Sequence, residues 1–294
     1  MAFEFYIQPN QPFNFTENLK FLARGFSDGL QVIHGKCLSK CLKIGEESVC
    51  FRIEENKGNL KVSILNAGYQ VEKPVRNYIT SWFDINRNLI DFYEMAKDDK
   101  ILRSLTIKYE GLRLISLENL FEAFSWAIIG QQINLAFAYT VKKSLVEIYG
   151  EKTIHNKVKY RLFPIPETIL SVPDEDLRKI KFSRQKVSYI KNVAQYLITD
   201  KEKIKSLYLK TYKDLIDELT QIKGIGLWTA KYVAMRHFKK MEAFPESDIG
   251  LQNAIKDQLE MTRKPDLELI DKLQENWTRW NAYAALYLWR SLID

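Results

Sequence analysis

Residues 219–248 read LTQIKGIGLWTAKYVAMRHFKKMEAFPESD. An apolar helical turn runs into Lys223-Gly224-Ile225-Gly226, and a second helix follows at once. Trp228, Tyr232 and Met235 fall at i, i+4 and i+7, on one face of that helix. Phe244-Pro245 ends it, and a lone carboxylate, Asp248, stands just beyond. Two helices joined by a glycine hairpin form a seat for a nucleic-acid phosphate. The first N–H groups of the second helix point outward, and the helix dipole favours an anion there. The residues of this seat are Lys223, Gly224, Ile225, Gly226, Trp228 and Thr229. Glycine serves it by admitting a positive φ or by letting the phosphate reach the amides. Gly-x-Gly alone also describes a plain helix corner, and Asp248 alone a plain N-cap. The aromatic face, the proline stop and the acid weigh together for the phosphate seat.

The 294 residues are enough for two or three domains, each with its own core. Apolar content of 46% and charged content of 28% describe an ordinary globular chain, and the net charge of +7 permits an anionic partner. No apolar run is long enough to span a membrane, and Met1-Ala2-Phe3-Glu4 lacks the start of a signal peptide. The expectation is a cytoplasmic monomer, nucleoid-associated while acting. Cys37, Cys41 and Cys50 are odd in number, cluster early and suggest no disulfide framework. With His34 they match no familiar zinc spacing. Cysteine is absent thereafter, which argues against an iron–sulfur cluster in the second half.

Fold class follows from a change of period. Residues 3–7 alternate as a strand and 18–26 suit a short helix. Val49, Phe51 and Ile53, then Leu60, Val62 and Ile64, predict a β-hairpin with a turn at Gly58. From Pro74 the period is helical: 75–97 as one stretch, then 117–129 broken at Gly130-Gln131-Gln132, then 135–149. Pro164, Pro166 and Pro173 punctuate a loop, and helices are expected near 212–219, 227–238, 249–258, 267–274 and 279–292. The class is therefore α+β, with an antiparallel sheet domain at 1–92 and an all-helical core at 93–294. The core divides into lobes of about 116–239 and 93–115 plus 240–294. Lys179, Lys181, Arg184, Lys186 and Lys191 make the best second phosphate contact, above all Arg184 and Lys186, although such runs are often only a solvated face.

Ile222 to Ala230, with Ala243-Phe244-Pro245 and Asp248 beyond, resembles the helix-hairpin-helix DNA glycosylases, and more narrowly the bacterial 3-methyladenine DNA glycosylase II group. Supporting stretches are Gly111-Leu112-Arg113-Leu114, Ile129-Gly130-Gln131-Gln132, Tyr149-Gly150-Glu151 and Trp280-Asn281-Ala282-Tyr283-Ala284 through Trp289. The resemblance covers about 111–294. It implies hydrolysis of the N-glycosidic bond of a damaged base flipped from double-stranded DNA, as in base excision repair. Asp248 would stabilise the oxocarbenium-like sugar and orient the water. Trp228, Tyr232 and Trp289 would line an aromatic slot for a cationic alkylated base such as 3-methyladenine or 7-methylguanine. Gln132, or Gln131, would fill the gap in the duplex. Some relatives carry leucine there.

Relatives with added lyase activity carry a lysine two residues after the second hairpin glycine. Trp228 stands there instead, which implies a monofunctional enzyme with no AP-lyase step. Lys223 replaces a frequent proline. The resemblance implies no required cofactor, and a structural Na+ or K+ held by the carbonyls of Thr220, Ile222 and Ile225. Two other readings stay open on the residues: a glycosylase of the same fold for oxidised or deaminated bases, and a hairpin module that binds DNA without chemistry.

Overall fold

The computed structural model describes residues 3–293. Strands β1 (Phe3–Ile7), β2 (Gln31–His34), β3 (Cys37–Ile44), β4 (Glu47–Asn56) and β5 (Asn59–Ile64) form an antiparallel sheet ordered β1-β5-β4-β3-β2. Lys57 (φ 51°) and Gly58 (φ 78°) supply the two positive-φ positions of the β4–β5 hairpin. Leu38, Phe51, Ile53, Val62 and Ile64 share its fully buried face. Helix α1 (Phe15–Ala23) sits between β1 and β2, capped by Asn14, whose side chain accepts the Glu17 N–H. It begins earlier than the expected 18–26 because Asn14 is the cap. Asn18 is buried instead, bonded to the Gly111 carbonyl and the Arg113 N–H.

The rest is mainly helical: α2 (Glu72–Trp82), α3 (Ile90–Asp98), α4 (Leu102–Lys108), α5 (Leu120–Gly130) and α6 (Leu135–Tyr149). After a hairpin of β6 (Lys152–His155) and β7 (Val158–Arg161) come α7 (Pro166–Ser171), α8 (Asp174–Lys179), α9 (Arg184–Thr199) and α10 (Lys201–Leu207). The chain closes with α11 (Tyr212–Thr220), α12 (Leu227–Arg236), α13 (Ile249–Gln258), α14 (Leu267–Asn276) and α15 (Asn281–Ser291). None of the described helices is long and apolar enough to cross a membrane.

Three expectations need correction. The stretch 75–97 is two helices, because Asp84 takes φ 47° and its carboxylate is held by Arg87 and the Tyr283 hydroxyl. The core is not wholly helical. Hairpin β6–β7 escapes a pattern reading because Ile154 and Val158 are exposed and Tyr160 alone among its apolar side chains is buried. Tyr160 packs on Cys41 and Cys50 behind the sheet. Those two cysteines lie directly opposite each other on β3 and β4 and are joined as a disulfide. The odd cysteine count hides a pairing that strand register creates.

Two polar clusters tie the sheet end of the molecule to the helices. Lys142 on α6, almost fully buried, bonds Asp28 at 2.7 Å and Glu122 on α5 at 2.8 Å. Burial alone would push its pKa down, but the two carboxylates raise it well above the usual lysine range. Arg113, with no exposed surface, donates to the carbonyls of Asn10, Pro12 and Arg87.

Candidate active site

Between α11 and α12 the hairpin is pinned from inside by Ile222 and Ile225, 6% and 4% exposed, while Lys223, Gly226 and Leu227 face solvent. The two glycines do different work. Gly224 has φ +100°, and a Cβ there would lie 2.2 Å from the Tyr189 ring, so conformation and space both require glycine. Gly226 has an ordinary φ of −83° and open space where a Cβ would point. Its missing side chain leaves the start of α12 bare. Among the described residues, the N–H groups of Gly226, Leu227 and Trp228 find no acceptor, and α12 has no side-chain cap. They are the unsatisfied donors an anion would take.

Helix α9 buttresses the hairpin. Tyr189 packs against Gly224, and Asn192 donates to the Lys223 carbonyl at 3.2 Å. Nothing in their spacing marks these residues in the sequence. Arg184, at the start of α9, is exposed. Lys186 is partly spent on the Ile129 carbonyl at 2.8 Å, and burial lowers its pKa. The two glutamines also separate. Gln131 donates to the Thr229 hydroxyl at 3.1 Å, locking the end of α5 to α12. Gln132 takes φ 56° and stands exposed at the tip.

Asp248 is the N-cap of α13, and its surroundings fix it further. One oxygen, Oδ1, accepts the Leu251 N–H at 2.9 Å and the Trp289 indole N–H at 3.0 Å. The other, Oδ2, accepts the Trp228 indole N–H at 3.1 Å. Every partner is a donor, the arrangement a carboxylate anion takes. Tyr232 lies between the two indoles, stacked on Trp228 at 5.5 Å and 25° and tilted to Trp289 at 5.8 Å and 50°. The structure therefore brings Asp248, Trp228, Tyr232 and Trp289 into one cluster. The pocket expectation anticipates ring faces; the indole N–H bonds to the acid are what it misses. Arg236 is a further unforeseen member, donating to the Tyr232 hydroxyl at 3.2 Å and to the Ile115 carbonyl.

The carbonyl of Ile222 already accepts the Ile225 N–H at 2.9 Å. With Thr220 and Ile225 it offers uncharged oxygens only, a donor set that suits a weakly held monovalent cation rather than a divalent one. Among the described residues no cluster of His, Cys, Asp or Glu could hold a metal ion.

A helix-hairpin-helix with bare amides, set twenty residues before a clamped carboxylate, defines a class of DNA repair proteins. The chain belongs to the HhH-GPD superfamily of base excision DNA repair proteins, whose family model matches residues 125–279. Residues 37–124 match the N-terminal domain of 8-oxoguanine DNA glycosylase. More particularly, the chain is 38% identical over 285 residues to the DNA-3-methyladenine glycosylase of Bacillus subtilis, a match covering 95% of this chain and 94% of that protein. The fold is shared with the 3-methyladenine DNA-glycosylase of Archaeoglobus fulgidus, at 23% identity and a TM-score of 0.85 over 97% of each chain. It is shared too with the 8-oxoguanine glycosylase/lyase of Clostridium acetobutylicum in complex with double-stranded DNA, at 17% identity and a TM-score of 0.78, covering 99% of this chain and 97% of that one.

Proposed function

We propose that the protein is a monofunctional glycosylase that removes alkylated bases, of the 3-methyladenine and 7-methylguanine type, from duplex DNA. The observation that carries this is the Asp248 carboxylate held by two indole N–H groups beside Tyr232. The 38% identity to a named DNA-3-methyladenine glycosylase supports it. The hairpin amides and Arg184 grip the strand, the target nucleotide swings out, and Gln132 occupies its place. The glycosidic C–N bond breaks with its electron pair leaving on the base. Positive charge then collects on the sugar, where Asp248 stabilises it and orients a water for attack. A methylated purine already carries positive charge, so it leaves without a strong acid. Aromatic walls suit that cation. Trp228 stands where lyase chemistry would call for lysine, and Lys231, one turn on, is paired to Glu246 at 2.6 Å.

The test is base release from methylated duplex DNA by wild type and Asp248→Asn. The expected loss is about 10²–10⁴-fold in kcat, with DNA affinity retained. Unchanged release in the variant would sink the reading, as would release from an 8-oxoguanine duplex with none from methylated DNA. Borohydride should trap no covalent enzyme–DNA adduct; a trapped adduct would overturn the monofunctional assignment.

A further inference from the structure

Helix α9 opens with the wrong charge for a helix start. Its first turn holds Arg184 and Lys186 and no acid, so both cations oppose the helix dipole. By contrast α5, α10, α11 and α14 each carry an acid there. Arg184 is exposed, but Lys186 is half-buried and has no carboxylate partner among the described residues. Its ammonium sits instead at the end of another helix, 2.8 Å from the Ile129 carbonyl in the last turn of α5. That carbonyl is one of those an α-helix leaves unpaired at its C-terminus, where the dipole favours a cation. A charge out of place on α9 is in place on α5.

Three residues beyond Ile129 stands Gln132, exposed and left-handed at φ 56°. A non-glycine residue keeps such a backbone only where its surroundings hold it. Asn134 fixes the far side by accepting the Phe137 N–H at 2.9 Å, and Lys186 fixes the near side through Ile129. Further along α9, at i+3 and i+6 from Lys186, Tyr189 packs against Gly224 and Asn192 donates to the Lys223 carbonyl. One helix thus holds the end of α5 and the phosphate seat in a common frame.

We infer that Lys186 is a positioning residue that sets where Gln132 enters the duplex relative to the gripped phosphate. The inference rests on the glycosylase reading above. A strand held at the hairpin leaves the wedge little freedom, and an error of about 1 Å in placement is enough to cost rate. Lys186 acts on extrusion of the nucleotide, before the bond breaks, and touches neither base nor phosphate.

The test uses the full chain and duplexes carrying one 7-methylguanine, opposite cytosine or opposite adenine, with release followed in a single turnover. Lys186→Met keeps the stem and loses the ammonium. It should slow release about tenfold from the paired duplex and less than about threefold from the mismatched one, where extrusion costs less. Lys186→Arg, which can still donate to a carbonyl, should stay within about threefold of wild type on both. Adding Lys186→Met to Gln132→Ala should cost less than about twofold more, because both changes act through one side chain. The salt dependence of affinity for lesion-free duplex should be unchanged in Lys186→Met, whereas a lost phosphate contact would lower its slope by about 0.9. Equal losses on the two duplexes, multiplied losses in the double variant, or the lower salt slope each overturn the inference and leave the glycosylase reading standing. Wild type that releases 7-methylguanine from neither duplex ends that reading and this inference with it.

Discussion

Trp228 belongs to two parts of the site at once. Its backbone N–H is one of the open donors at the start of α12, and its indole N–H bonds Asp248. Trp228→Phe separates the two, because the amide stays and a ring can still stack on Tyr232. We expect DNA affinity within about twofold of wild type and a loss of roughly tenfold in kcat, the worth of one hydrogen bond to a charged group. A change in affinity with kcat intact would mean that the indole reads DNA rather than orients the acid. At this scale the sequence was legible wherever chemistry is local. Asp248 announces itself through the proline before it and the helix after it, and Gly224 through the turn. The partnership of Asp248 with Trp289 spans forty-one residues. No local pattern encodes a contact of that length, so the resemblance alone could point to Trp289, and only as a ring.

The helices themselves were read well where apolar residues recur with a clean period and a cap stands at the start. Helix α6 begins after Asn134, whose side chain accepts the Phe137 N–H, and ends at Gly150, as the sequence indicates. The reading failed where tertiary contacts overrule the period, as at Asp84, or where an element is held by a single buried side chain, as in β6–β7. The break between α5 and α6 yields an element-scale prediction. Gln131 is fastened to Thr229 whereas Gln132 is exposed with a left-handed backbone. Gln132→Ala should therefore reduce base release about tenfold on a fully paired duplex and far less on a mismatched one, where unstacking costs less. Gln131→Ala should show no such dependence on pairing, because its role is to brace the hairpin. Equal sensitivity in the two variants would remove Gln132 as the wedge.

Across the whole molecule, stability should depend on charges placed where the sheet and the helices meet. Lys142→Met leaves Asp28 and Glu122 buried without their cation, and chemical denaturation should report a loss of about 3–5 kcal/mol. Adding Asp28→Asn and Glu122→Gln should restore most of it; no recovery would show that packing rather than charge is lost. His237 gives a pH counterpart. Its Nδ1 donates to the Leu117 carbonyl at 2.7 Å, and its Nε2 accepts from the Tyr208 hydroxyl at 2.8 Å. Burial lowers its pKa, so the unfolded chain binds the proton more readily. Its contribution is complete above the unfolded value of about 6.5 and is lost as pH falls through the lower folded value. The melting temperature should drop between pH 7 and 5 more in wild type than in His237→Gln, and parallel curves would refute this.

Helix α15 reaches in several directions from a single segment. Trp289 steadies the acid, Tyr283 bonds Asp84, Tyr287 meets the Tyr93 hydroxyl, and Arg290 pairs with Glu17 near the other end of the chain. A ribosome that stalls before residue 281 would thus release a polypeptide bearing the acid and the hairpin but missing one of the acid's two indole anchors. The cluster around Asp248 is therefore complete only once α15 has been made and docked.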